Sequence, residues 1–198
     1  MTSPIILASG SAIRRRILED CGLAVEIAPA DIDEVEITKQ ALRAGLTAEH
    51  IAIRLAQGKA HTISKTRPGL VIGADQILEF DGALWDKPAG FDDLRARLKQ
   101  MQSRAHALIN GVVLAQGDQT LWRWSARAEL HMRALSDQQI DRYLSRVDDS
   151  VLKSVGGYQV EGLGLSLFER IDGDYFSVLG LDVLPLLNKL AELRCEIL

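Results

Sequence analysis

Apolar positions in this chain come in two rhythms, short continuous runs and stripes at helical spacing, and the two alternate from end to end. The run Ile5–Ala8 reads as a buried strand. It passes through Ser9-Gly10-Ser11 into a stripe containing Ile17 and Leu18, which predicts a helix from about Ser11 to Cys21 closed by Gly22. Val25–Ala28 alternates as a short strand before Pro29. An acidic run follows (Asp31, Asp33, Glu34, Glu36), read as a loop. Ile51, Leu55, Ala56 and Ala60 mark a helix from Ala48 to Ser64, with Lys59 and His61 on its later turns. Leu70–Ala74 is of buried-strand type, stops at Asp75-Gln76, and resumes as Ile77–Phe80 before the hairpin turn Asp81-Gly82 leads into Ala83–Trp85.

The second half continues in the same mixed manner. Phe91–Gln102 reads as a helix, Ala105–Leu114 and Leu121–Leu130 as strands joined by Gln116–Gln119, and Ser136-Asp137 caps a helix to about Ser145. Leu165–Ile171 and a short stretch after Asp172-Gly173 are expected as strands, and a terminal helix spans about Val183–Leu193. This order predicts an α/β fold with a mixed rather than purely parallel sheet. No repeat or low-complexity linker interrupts it, so one domain over residues 1–198 is expected.

Composition narrows the function. With 47% apolar and 25% charged residues, the 198-residue chain can bury an ordinary core. A net charge of −4 argues against a surface for polymeric nucleic acid, and local basic clusters in an acidic chain point to a small anionic ligand. Cys21 and Cys195 lack metal-ligand spacing, no signal segment opens the chain, and no apolar run approaches a membrane span. The expected setting is cytoplasmic, without a membrane partner.

Several residues could do chemistry together. Ser9 and Ser11 precede a helix whose first turn carries Arg14 and Arg15, an arrangement suited to phosphate; a Ser cap on a solvated basic turn is the plain alternative. Asp75, beside the small Gly73-Ala74, is expected where a buried strand becomes accessible, or is simply a strand-end turn residue. Glu34 in its acidic run could hold Mg²⁺ against a triphosphate, or be merely solvated. Lys59 and Lys87 supply cations, Lys87 on the stiff stretch before Pro88, although most lysines are surface charges. As a set they divide the labour of phosphate hydrolysis: cations neutralise, and a carboxylate activates water. His50, His61, His106 and His131 share no spacing that would suggest zinc, Gly162-Leu163-Gly164 is too short for a dinucleotide fingerprint, and neither a P-loop nor a serine nucleophile elbow is present.

The ordered segments Leu7–Ser11 with Arg14-Arg15, Asp33-Glu34, Leu55-Ala56 with Lys59-Ala60, Ile72–Asp75, Lys87-Pro88, Arg104 with His106, Gly156 with Tyr158, Glu161-Gly162, Phe168–Arg170, Gly173–Tyr175 and Gly180-Leu181 resemble the Maf family of nucleoside triphosphate pyrophosphatases over essentially the whole chain. The resemblance implies an elongated mixed sheet flanked by helices with a cleft between two lobes, a Mg²⁺ or Mn²⁺ requirement, a homodimer, and hydrolysis of a nucleoside triphosphate to monophosphate and pyrophosphate in clearing the nucleotide pool. A nucleotide-binding regulator of cell division or septum formation is the alternative attached to the family. By position, Asp75 would be the general base or metal-bound carboxylate and Glu34 its metal-binding companion. Ser9, Ser11, Arg14, Arg15, Lys59 and Lys87 would hold the phosphates. Ile13, Gln76 and Glu161 fall where family members differ near the base. Gln76 and Glu161 match the 7-methyl-GTP branch rather than the dTTP and UTP branch, and Glu161 suits the hydrogen-bond donors of guanine. Ile13 replaces that branch's Trp and cannot stack on a cationic base, which implies a broader or shifted specificity.

Overall fold

The computed structural model describes residues 4–195. Its elements are β1 (Ile5–Leu7), α1 (Ala12–Asp20), β2 (Val25–Ile27), α2 (Glu34–Arg43), α3 (Ala48–Ser64), β3 (Leu70–Phe80), β4 (Ala83–Trp85), α4 (Phe91–Met101), β5 (Ala105–Gln116), β6 (Gln119–Met132), α5 (Asp137–Leu144), β7 (Phe168–Asp172), α6 (Tyr175–Leu179) and α7 (Val183–Glu192). Strand order is β2-β1-β3-β5-β6-β7, with β4 on β3. The sheet is mixed, as the element order predicts: β1 pairs in parallel with β2 and β3, whereas β3–β4 and β6–β7 are antiparallel.

The chain forms two compact units, and the division falls inside β3, β5 and β6. The first holds residues up to Gln76, Ile109–Ala126 and those from Gly180 onward. Part of its core gathers Ile6, Ala8, Ala56, Ala60, Val71, Val113 and Ala115. The second unit, Ile77–Leu108 with Arg127–Leu179, packs Leu78, Leu94, Leu98, Met101, Leu130, Ile140 and the aromatic residues Tyr158 and Phe168 into a core of its own.

Local chemistry explains the elements of the first unit. Ser11 caps α1 by accepting from the Arg14 N–H, and Gly22, at φ +83°, turns the chain at its end. Thr47 caps α3 in the same way. That helix carries Ala52, Ala56 and Ala60 in a row and meets glycines on the strands: a Cβ on Gly73 would lie 2.1 Å from the Ala56 carbonyl oxygen, and one on Gly111 2.3 Å from Ala52. Small residues on both sides let helix and sheet approach more closely than ordinary side chains allow.

Three expectations need correction. The acidic run is not all loop, because Asp33 caps α2 by accepting from the Glu36 N–H and Glu34 opens the helix, where negative charge suits the dipole. The strand does not stop at Asp75-Gln76: β3 runs unbroken from Leu70 to Phe80, so Asp75 lies within a strand and is buried. The stretch after Asp172-Gly173 is the short helix α6, with the Asp174 side chain accepting from the Ser177 N–H, and residues 163–167 form 3-10 turns before β7 begins at Phe168. Among the described residues no helix is long and apolar enough to cross a membrane.

Candidate active site

Side chains alternate between the faces of a strand, so Asp75 shares with Gly73 the face of β3 that lies against α3. On α3, Lys59 sits on the buried side, four residues after Leu55 and three after Ala56. Its ammonium therefore meets Asp75 rather than water. The Nζ lies 2.5 Å from Asp75 Oδ1 and 2.7 Å from Oε1 of Glu34, which the Asp33 cap places at the start of α2. The Asp75 and Lys59 side chains are 9% and 11% exposed, and Glu34 is 49% exposed, so the trio is closed at the strand and open at Glu34.

Burial raises the Asp75 pKa above the usual carboxylate range; the charges of Lys59 and Arg14 and the Lys59 hydrogen bond oppose that rise, and Glu34 adds to it. Arg14 points inward from α1 beside Ile17 and Leu18. Its Nε donates to the Gly180 carbonyl at 2.7 Å, and its Nη1 donates to the Ala74 carbonyl at 2.9 Å and to Ser9 Oγ at 3.1 Å. Burial lowers its pKa, while Asp75 and Glu34 hold it up. Ser9 Oγ also accepts from the Ser11 N–H.

Ser9, Ser11, Arg14, Glu34, Lys59 and Asp75 thus converge within the first unit. Gln76 joins them, because a Cβ on Gly180 would lie 3.6 Å from Arg14 Nη2 and 3.7 Å from Gln76 Oε1. Arg15 turns the other way, exposed and paired with Glu19 at 2.7 Å one turn along α1. Ile13 is half-buried on the same helix. Lys87, between β4 and α4, and Glu161, in the turn before residues 163–167, are exposed loop residues of the second unit.

Sequence reasoning missed the backbone half of this arrangement. The carbonyls of Ala74 and Gly180 fix the Arg14 fork, and Gly180 adopts φ +108°, which favours glycine. A glycine before Leu181 was legible; its carbonyl partner was not. Elsewhere, Glu129, His131 and Asp172 also bring potential metal ligands together, but Arg170 already donates to His131 Nε2 at 2.8 Å and pairs with Asp172 at 2.8 Å. A cation already serves that cluster.

The family described as Maf-like protein matches residues 4–193. A 7-methyl-GTP pyrophosphatase of Brucella suis is 43% identical over 196 residues, spanning 98% of each chain. A nucleoside triphosphate pyrophosphatase of Granulibacter bethesdensis is 45% identical, covering 95% of this chain and 96% of its own. One from Nitrobacter winogradskyi is 46% identical over 94% of this chain and 92% of its own.

Proposed function

The chain belongs to the Maf family, and from that premise we propose that it hydrolyses a nucleoside triphosphate to the monophosphate and pyrophosphate, with water attacking the α-phosphorus. The observation that carries this reading is the convergence of two carboxylates, Glu34 and Asp75, on one ammonium, with Arg14 and Ser9 alongside. The relatives' names support the same reaction class.

A divalent cation fits these residues. Glu34 and Asp75 offer hard oxygen donors close enough to share a single Lys59 nitrogen, the donor type that Mg²⁺ and Mn²⁺ take. Bound by Glu34 and Asp75, such a cation would spread the charge of the phosphate oxygens and of the departing pyrophosphate. The chain's own groups do the rest. Asp75, whose proton affinity burial has raised, accepts the proton of the attacking water. Lys59 turns its ammonium toward the phosphate chain. Arg14 keeps positive potential at the end of β1 and holds Ser9, so that the Ser9 and Ser11 hydroxyls and the start of α1 face the phosphates. Gln76 and Glu161 are the residues proposed to read the base, Ile13 leaves it unstacked, Lys87 remains a proposed phosphate cation, and Arg15 would have to leave Glu19 to join it. A second copy of the chain as partner and a cytoplasmic setting belong to the same reading.

The test is pyrophosphate release with Mg²⁺ from GTP, 7-methyl-GTP, dTTP, UTP and CTP, for the wild type and for Asp75→Asn. Turnover of at least one guanine nucleotide is expected, and Asp75→Asn should lower kcat by about a thousandfold or more. Near-normal turnover in Asp75→Asn removes that residue from the chemistry. Binding without pyrophosphate release from any nucleotide would return the regulator.

A further inference from the structure

We propose that Lys59 is a gate on the cation site: its ammonium fills the space between Glu34 and Asp75, so a divalent ion gains both carboxylates only when a polyphosphate draws the ammonium away. This rests on the reading of Glu34 and Asp75 given above. It goes beyond that reading in fixing the order in which charges enter the site.

The geometry is that of an occupied position. One nitrogen stands 2.5 Å and 2.7 Å from the two oxygens a metal would take. An ammonium and a divalent ion cannot share that space, and with Lys59 and Asp75 both nearly closed to solvent their repulsion is weakly screened. The charge count points the same way. Two carboxylates are balanced by Lys59 and by Arg14, whose charge is felt at both, so an arriving ion meets a cluster with no net negative charge. Arg14 is fixed by three hydrogen bonds and cannot leave. Lys59 can, because its stem is flexible and the contacts that hold its ammonium among the described residues are charge-assisted ones to Glu34 and Asp75, which another anion could replace. A triphosphate supplies that anion in excess. The nucleotide therefore opens the cation site as well as filling the space beside it, and the protein without nucleotide holds metal weakly.

Binding of Mn²⁺ alone to the full-length protein, followed by the loss of the free-ion electron paramagnetic resonance signal, tests this without turnover. Wild type is expected to bind weakly, Lys59→Gln at least about tenfold more tightly, and Lys59→Arg, which keeps the charge, no better than wild type. With the signal lost to Mn²⁺–pyrophosphate in protein-free controls subtracted, pyrophosphate should tighten Mn²⁺ binding to wild type much more than to Lys59→Gln. Lys59→Met gives the same comparison with an apolar side chain, should the amide variant fail to fold. Equal Mn²⁺ affinity in wild type and in the uncharged variants, with turnover still metal-dependent, overturns the gate and leaves the proposed function standing. Turnover that survives chelation of all divalent metal overturns the metal reading itself, and the gate with it.

Discussion

Arg14 shows how little of a buried cation's work can be judged from its charge. A guanidinium offers five N–H donors in a rigid fork, and here the fork spans two backbone carbonyls and a serine hydroxyl drawn from three distant parts of the chain. Its main physical effect is to tie the end of β1, the middle of β3 and the turn before α7 to one another. Lysine at this position would keep the charge but place one compact ammonium where three acceptors are spread, leaving at least one buried carbonyl unmet at about 1–3 kcal/mol. Arg14→Lys is therefore expected to lower the unfolding free energy by about 2–4 kcal/mol in urea titration, a loss like that of an uncharged replacement. An unchanged urea midpoint would show that the charge alone suffices.

At the level of elements, the decisive contact is α3 on β3. The row Ala52, Ala56, Ala60 meets Gly73 and Gly111, and that close approach lets Lys59 reach Asp75 across the helix–strand gap. In Gly73→Ala the new methyl group would stand 2.1 Å from a backbone oxygen, which cannot swing aside as a side-chain tip could. The helix must lift. A cost of about 1–3 kcal/mol in stability is expected, together with a fall in kcat out of proportion to it, because Lys59 moves with the helix. Gly90→Ala, where a Cβ meets nothing within 4 Å and the backbone is extended at φ 171°, controls for the loss of a glycine without touching this contact. Equal turnover in the two variants would dissociate the packing from the chemistry.

The same elements show where the sequence was readable. Helix α1 was legible because Ser11 and Gly22 mark its two ends. Helix α2 was not, because four acidic residues in six positions look solvated; the overlooked signal is Asp33 with Glu36 three residues on, a side-chain cap on a first-turn N–H. Strand β3 looked interrupted because Asp75 and Gln76 are polar; the positive charges of Lys59, sixteen residues earlier, and of Arg14 make a buried aspartate tolerable there. The charged members of the site could be named from residue type and spacing. Their backbone partners, Ala74 and Gly180, carry no such mark, since any residue supplies a carbonyl.

On the scale of the whole molecule, both units bury ionisable groups, and His106 in the second makes stability depend on acid. His106 is 3% exposed, its Nε2 lies 2.5 Å from the Tyr158 hydroxyl, its ring centroid stands 5.9 Å from that of Phe168, and its Nδ1 has no hydrogen-bond partner among the described residues. Burial first, and then the neighbouring His131, push its pKa from 6.5 down to about 4. The unfolded chain takes up a proton as pH falls through 6.5, while the folded chain refuses it until near 4, so in that window the unfolded state binds more protons. Stability contributed by the neutral imidazole is complete above pH 6.5 and drains away on acidification toward pH 4, by about 3 kcal/mol in all. His106→Gln keeps a polar group beside the Tyr158 hydroxyl but cannot titrate. It is expected to be less stable than wild type at pH 7.5 and to close much of that gap by pH 4.5, as urea unfolding at stepped pH would show. Parallel pH profiles for the two proteins would mean that the acid sensitivity comes from other groups, and that the buried imidazole is protonated alike in the folded and unfolded chain.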